Sequence, residues 1–365
     1  MPDEAPRGWP DGFAGRGRDR AALLVLASLR SLTPRRLHEL AWRVGSASAC
    51  LAAVRARRWG SARDAELANR LRPDDIQQRL DRLRVRAVVP GSADYIDALE
   101  DLSDPPAALF VRGRELRALA PAVAIVGARG CSPLGADVAR SLGSRLAASG
   151  VCVVSGAARG IDWASHEGAL AARGPTIAVL GSGVDRVSSD TLRLLRRIED
   201  DGAVVTEYPP GAGAAPRTFP ARNRLVAALA RGVVIVEGGE RSGTLITTDH
   251  ALSMGREVLA VPGPITNPLS VVPNALIREG ATLVRGVDDI LSELGLAGNV
   301  AGPPDIALEG DEQTVYALVA SSVLADALAA ATRLSTERVS AALTTLEMKG
   351  LVRCVGGRYE RRYRG

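Results

Sequence analysis

Between residues 120 and 292 the chain repeats one pattern: a run of apolar residues, a glycine-bearing turn, and a segment with helical spacing. The runs fall at 123–126, 151–154, 176–180, 203–205, 233–236 and 258–261, with 282–284 as a seventh. An apolar run without alternation suits a strand covered on both faces, which is the situation in parallel sheets of α/β proteins. Alternation with helices therefore predicts the α/β class, a Rossmann-like doubly wound parallel sheet. Such sheets bind ligands beyond the carboxyl ends of their strands, so the turns after the runs are the place to look for function.

Four of those turns suit anions. After the first strand comes Gly127-Ala128-Arg129-Gly130, and after the second Ser155-Gly156-Ala157-Ala158-Arg159-Gly160-Ile161-Asp162. The third ends in Gly181-Ser182-Gly183, and the fifth in Glu237-Gly238-Gly239, followed by Arg241-Ser242-Gly243-Thr244 at a helix start. Glycines there let backbone N–H groups and helix N-termini approach a phosphate, and an arginine adds a bidentate clamp. A glycine after a strand also makes an ordinary βα turn, so it is the four turns together, two of them holding arginines, that carry the argument. The segment Arg217-Thr218-Phe219-Pro220-Ala221-Arg222-Asn223-Arg224 adds three arginines around one of only three phenylalanines. Phe219 offers a face to an unpaired base and the arginines meet phosphates; the competing arrangement tucks Phe219 into the core and leaves the arginines at a helix start.

Other chemistries fit less well. The first turn lacks the GxGxxG fingerprint and no acidic residue closes the second strand, so no dinucleotide or other cofactor is expected. The four cysteines and three histidines are dispersed without a CxxC pair, which argues against a metal site and a disulfide framework and fits a reducing, cytoplasmic setting. Asp162 and His166 share a helical face, but a cap by Asp162 explains that spacing better than an acid/base dyad. No apolar run is long enough to span a membrane. The net charge of +5 favours a polyanionic partner only mildly. Lys349 is the only lysine beside 45 arginines, a bias that a GC-rich genome also produces.

The flanks differ from the core. Residues 1–20 are rich in Gly, Pro, Asp and Arg and read as a disordered tail. Residues 21–85 have helical periodicity only, with Thr33-Pro34 as an N-cap signal. Residues 86–119 are expected as a linker packing on the core, which spans 120–294, and 295–310 as a Gly/Pro linker. Within 311–365, helices near Glu312, Leu324 and Ser335 and a hairpin turning at Gly356-Gly357 suggest a winged-helix module.

The core motifs resemble the DprA/Smf family of bacterial DNA-processing proteins. The likeness runs from Tyr95 to about Leu291. It rests on Ile125-Val126-Gly127-Ala128-Arg129, the 154–162 turn, Glu207-Tyr208-Pro209-Pro210-Gly211, Phe219-Pro220-Ala221-Arg222-Asn223-Arg224, and Ser242-Gly243-Thr244-Leu245-Ile246-Thr247. Ala128 departs from the usual serine, Ser165 from an alanine, and Val272-Pro273 from a common glycine. The resemblance implies a SAM-like N-terminal domain, a homodimer, and a non-enzymatic protein that coats and protects incoming single-stranded DNA during natural transformation (competence). It also implies help in loading a RecA-type recombinase. Its DNA-binding pocket would use Arg129, Phe219, Arg222 and Asn223, lined further by Gly127, Gly156, Arg159, Gly160, Arg224, Ser242, Gly243 and Thr244. The rival is a nucleotide-processing enzyme, because Gly238-Gly239 with Ser242-Gly243-Thr244 resembles the GGxGT loop of LOG-type phosphoribohydrolases. Their glutamate is missing from the following helix, where Asp249 is the nearest carboxylate. A third possibility is duplex binding by the C-terminal module.

Overall fold

The computed structural model describes residues 7–15, 17–29, 31–240, 242–296, 308–319 and 322–361. Most of the expected 295–310 linker, Arg241 and the terminal Arg362 and Arg364 lie outside these residues. The chain opens with a helical unit: α1 (Arg18–Leu26), α2 (Pro34–Val44), α3 (Ala47–Arg55), α4 (Ala62–Arg70) and α5 (Pro73–Arg82). Side-chain caps start three of these helices. Thr33 accepts from the backbone N–H of Arg36 and Ser46 from that of Ala49, while Ser61 and Asp64 form a reciprocal capping box. The stretch expected as a tail is in part folded. Trp9 and Phe13 stack with ring centroids 4.4 Å apart and join the buried cluster of α1–α3. Glycine and proline dominate the composition there, but two large rings bury enough apolar surface to fix the segment.

One nine-stranded sheet follows, in the order β1-β2-β6-β5-β4-β3-β7-β8-β9. Its strands are β1 (Arg86–Val88), β2 (Leu109–Gly113), β3 (Ala122–Val126), β4 (Cys152–Ser155), β5 (Thr176–Leu180), β6 (Ala203–Thr206), β7 (Gly232–Ile235), β8 (Glu257–Ala260) and β9 (Thr282–Leu283). All seven strands expected from the apolar runs are present, and β3 to β9 pair in parallel. The segment expected only to pack on the core instead extends the sheet, because β2 pairs antiparallel with β6 and β1 with β2. Helices α6 (Pro133–Ala148), α7 (Ile161–Ala171) and α8 (Ser189–Asp201) cover one face. The other face carries α9 (Thr218–Ala228), α10 (Thr244–Ser253) and α11 (Val271–Arg278). The short α12 (Val287–Glu293) returns to pack beside α6. Strand order runs one way from β3 to β6 and the other way from β7 to β9, so the sheet's switch point lies between β3 and β7.

The C-terminal module has its own buried cluster. It comprises α13 (Gly310–Leu318), β10 (Val323–Leu324), α14 (Ala325–Thr332), α15 (Thr336–Met348), β11 (Val352–Val355) and β12 (Arg358–Arg361). The hairpin turns at Gly356 and Gly357, both with positive φ, as a two-residue turn of this hand requires. Its arginines are largely engaged within the molecule. Arg338 is clamped by Asp311, and Arg353 pairs with Glu360 and with Asp137 of α6. Among the described residues no helix is long and apolar enough to cross a membrane, and no three metal-ligating side chains cluster.

Inside the core, His166 is fully buried and bonds Thr176, not Asp162. Thr176 donates to the carbonyl of Val153 and therefore accepts from His166 Nδ1, at 2.7 Å. Burial, reinforced by the charge of Arg222, pulls the imidazole from its ordinary value of 6.5 down to about 3. Between those values the unfolded chain binds a proton that the folded chain refuses, so stability falls as pH drops through that window. The contribution approaches about 1.4 kcal/mol per pH unit. His166→Gln should flatten the loss, read as a smaller drop in urea midpoint between about pH 7 and about pH 4.5.

Candidate functional site

A cavity of about 880 Å3 opens at the switch point, within the range of roughly 300–1,000 Å3 usual for ligand sites. Its walls are the turns after β3, β4 and β7 together with the start of α9. These turns touch so closely that side chains are excluded between them. A Cβ on Gly127 would lie 2.6 Å from Ile161 and 2.9 Å from the carbonyl oxygen of Glu237. The Ala128 N–H donates to that carbonyl at 2.8 Å. The buried carboxylate of Glu237 accepts from the backbone N–H of Ser132 at 2.8 Å and from its hydroxyl at 2.6 Å, and Ser132 in turn caps α6. The β3 turn is thus fastened at both ends, and Arg129 projects from its middle.

Arg129 is exposed, and its guanidinium carbon lies 4.9 Å from the centroid of the Phe219 ring. Such a contact contributes about 0.5–1 kcal/mol at an exposed site and holds the guanidinium in place. No carboxylate pairs with Arg129 among the described residues. Phe219 is half-buried at the second position of α9, its ring 3.1 Å from where a Cβ of Gly181 would stand. Arg129 therefore covers one face of the ring that the sequence offers to a base.

Below this pair, Arg222 is buried beneath the β4 turn, where a Cβ on Gly156 would overlap its guanidinium. It donates to the carbonyl of Val179. The cap expected of Asp162 is not formed: Gly160 stands at the start of α7, and the Asp162 carboxylate instead reaches back to accept from the N–H groups of Gly156 at 3.2 Å and Ala158 at 3.4 Å, tying down the turn before the helix. Burial pushes the Asp162 carboxyl up and the Arg222 guanidinium down, while the charge of each opposes the other's shift. The far wall is the start of α10. The hydroxyls of Ser242 and Thr244 bond each other, and Asn223 donates to the carbonyl of Gly243 at 3.3 Å. The N-terminus of α10 adds the partial positive charge of a helix start.

Three residues expected in the pocket stand elsewhere. Arg159 and Gly160 face a second cavity on the opposite side of the β4–α7 turn. Arg224 is 2% exposed and its guanidinium is spent on Asp104 at 3.0 Å and Glu207 at 2.7 Å. Two positions along α9, about half a helical turn, separate these roles: Arg222 and Asn223 face the cavity, and Arg224 the carboxylates of Asp104 and Glu207. The third glycine turn also falls short of the cavity and backs Phe219 instead. Conversely, Ala214, Ala215 and Pro216 form a wall that no polar or glycine signal marked, and Thr247 lines the floor from the first turns of α10. Asp249 is exposed on α10 and does not line the cavity.

Because Arg224 holds two carboxylates together in a buried site, removing it leaves them facing each other unpaired. Arg224→Ala should destabilise the fold by about 3–5 kcal/mol, measured as a lowered chemical-denaturation midpoint at neutral pH.

Residues 86–295 match the family model for DNA recombination-mediator protein A, and residues 299–358 match that for the DprA winged helix domain. A putative DNA processing protein DprA from Mycobacterium tuberculosis is 41% identical over 65% of this chain, and the match spans only 64% of that relative's length. Protein Smf of Escherichia coli K12 is 38% identical over 75% of the chain and 77% of its own. Among solved structures, DprA from Streptococcus pneumoniae superposes with a TM-score of 0.64 at 33% identity, covering 76% of this chain and 98% of that one. DNA processing protein A from Helicobacter pylori, solved for its single-stranded DNA binding mode, gives 0.52 at 25% identity over 58% and 96%. With matches of this extent, the chain belongs to the DNA recombination-mediator protein A (DprA/Smf) family.

Proposed function

We propose that the cavity at the β3/β7 switch point binds single-stranded DNA by its phosphates, without strong sequence preference. The observation that carries this reading is Arg129: an exposed guanidinium braced on Phe219, with no carboxylate partner among the described residues, beside the N-terminus of α10. Unpaired guanidinium, helix start and glycine-exposed backbone are the donors a phosphate needs. Arg222 adds positive field from below the floor, and Asn223 fixes the wall formed by Gly243. Gly127, Gly156, Ser242, Gly243 and Thr244 shape the site. Base edges have few fixed donors to read here, which favours backbone recognition over sequence. The single-stranded DNA binding of the Helicobacter pylori relative supports the same assignment.

In the cell this activity would protect incoming single strands during natural transformation and help load a RecA-type recombinase, with the protein acting in the cytoplasm as a homodimer. The family membership supports that role. A phosphoribohydrolase reading gains nothing from Asp249, which stands outside the cavity.

Arg129→Ala should weaken binding of an oligothymidylate by roughly 10- to 100-fold. The slope of log affinity against log salt should fall by about 0.7. Unchanged affinity and slope in a fluorescence-anisotropy titration would overturn the assignment.

A further inference from the structure

The β4–α7 turn has two sides. Gly156, Ala158 and Asp162 face the first cavity, whereas Arg159, Gly160 and Trp163 face a second of about 670 Å3 between α6, α7 and α8. Four arginines line this second groove, Arg140, Arg159, Arg193 and Arg197, against two carboxylates, Glu167 and Asp190. Arg140 is committed to Asp137 at 2.8 Å and Glu167 at 3.6 Å, and Arg193 to Asp190 at 2.5 Å. Arg159 and Arg197 are exposed, with no hydrogen bond or ion pair among the described residues. Two uncompensated guanidinium groups in one concave site raise the local potential and call for an anion.

Charge alone is weak in so arginine-rich a chain. Trp163 decides the matter. The chain has four tryptophans, and the other three lie within its first 59 residues. Trp163 is half-buried, lining the groove while the rest of its ring packs on the cluster of α8 and the sheet. A fixed aromatic among arginines is the arrangement that stacks an unpaired base and meets its phosphates. The two grooves are also rigidly joined. Gly160 has φ +84°, and a Cβ there would overlap the carbonyls of Ala128 and Arg129. The ridge bearing Arg159 is therefore locked against the turn bearing Arg129.

We propose that a single strand leaving the first cavity crosses the Arg159–Gly160 ridge and continues in this second groove. There one base stacks on Trp163, and Arg159 and Arg197 meet the phosphates. The proposal rests on the reading of the first cavity as a single-strand site and extends its footprint along α7 and α8.

The test compares oligothymidylates of about 6 and about 20 nucleotides on the full chain. The Arg197→Ala variant changes only an exposed position that makes no ion pair among the described residues. It should bind the short strand as wild type does, bind the long strand roughly tenfold more weakly, and lose about 0.7 in salt slope on the long strand. The long strand should quench tryptophan fluorescence in wild type and not in Trp163→Phe. Long-strand affinity and slope unchanged in Arg197→Ala, or equal quenching in Trp163→Phe, would overturn the proposal; the first of these would leave the groove to an acidic protein surface. Failure of the first-cavity reading looks different: wild type would then bind neither strand, or bind both without dependence on Arg129.

Discussion

Close packing of backbone turns at the point where the sheet reverses its strand order governs the rest of this molecule. Between β3 and β7 the crossovers leave in opposite directions, so a crevice opens there, and three turns converge on it. Gly127 and Gly160 sit where any side chain would drive one turn off another. Glu237, buried at the end of β7, ties the β3 turn to the start of α6 through Ser132. The result is a rigid rim from which Arg129 points one way and Arg159 the other.

Rigidity of that rim explains why so few of the arginines matter to the site. Many of the others are neutralised within the fold, as Arg224 is by Asp104 and Glu207 and Arg353 by Asp137 and Glu360. Such pairs hold the molecule together but offer nothing to a polyanion. Arg129 is different because its restraint comes from an aromatic ring and leaves its N–H donors uncommitted. Preorganising a cation without neutralising it lowers the entropy lost when a phosphate arrives.

Much of this was legible in the sequence because a buried parallel strand and a βα turn leave strong local signatures. The seven apolar runs, the glycine turns and the cap at Thr33 all read directly. What failed to read was set by distant partners. β1 and β2 are short and become strands through distant pairing, β2 adding antiparallel to β6 and β1 to β2. Trp9 and Phe13 are ordered by helices that follow them, within a stretch whose composition looks like a tail. Arg224 is tethered by Asp104, which lies 120 positions earlier, so nothing nearby distinguishes it from Arg222. Arg129 and Arg159 occupy similar turns after adjacent strands, and only the three-dimensional ridge separates their surroundings.

The central claim is that the switch-point cavity is built for the backbone of an unpaired strand. Its most direct test is an equilibrium titration of the full chain with single- and double-stranded oligonucleotides of matched sequence at two salt concentrations. The account predicts tighter binding of the single strand at both, with an affinity that falls steeply as salt rises. Equal affinity for the duplex, or single-strand binding indifferent to salt, would contradict it.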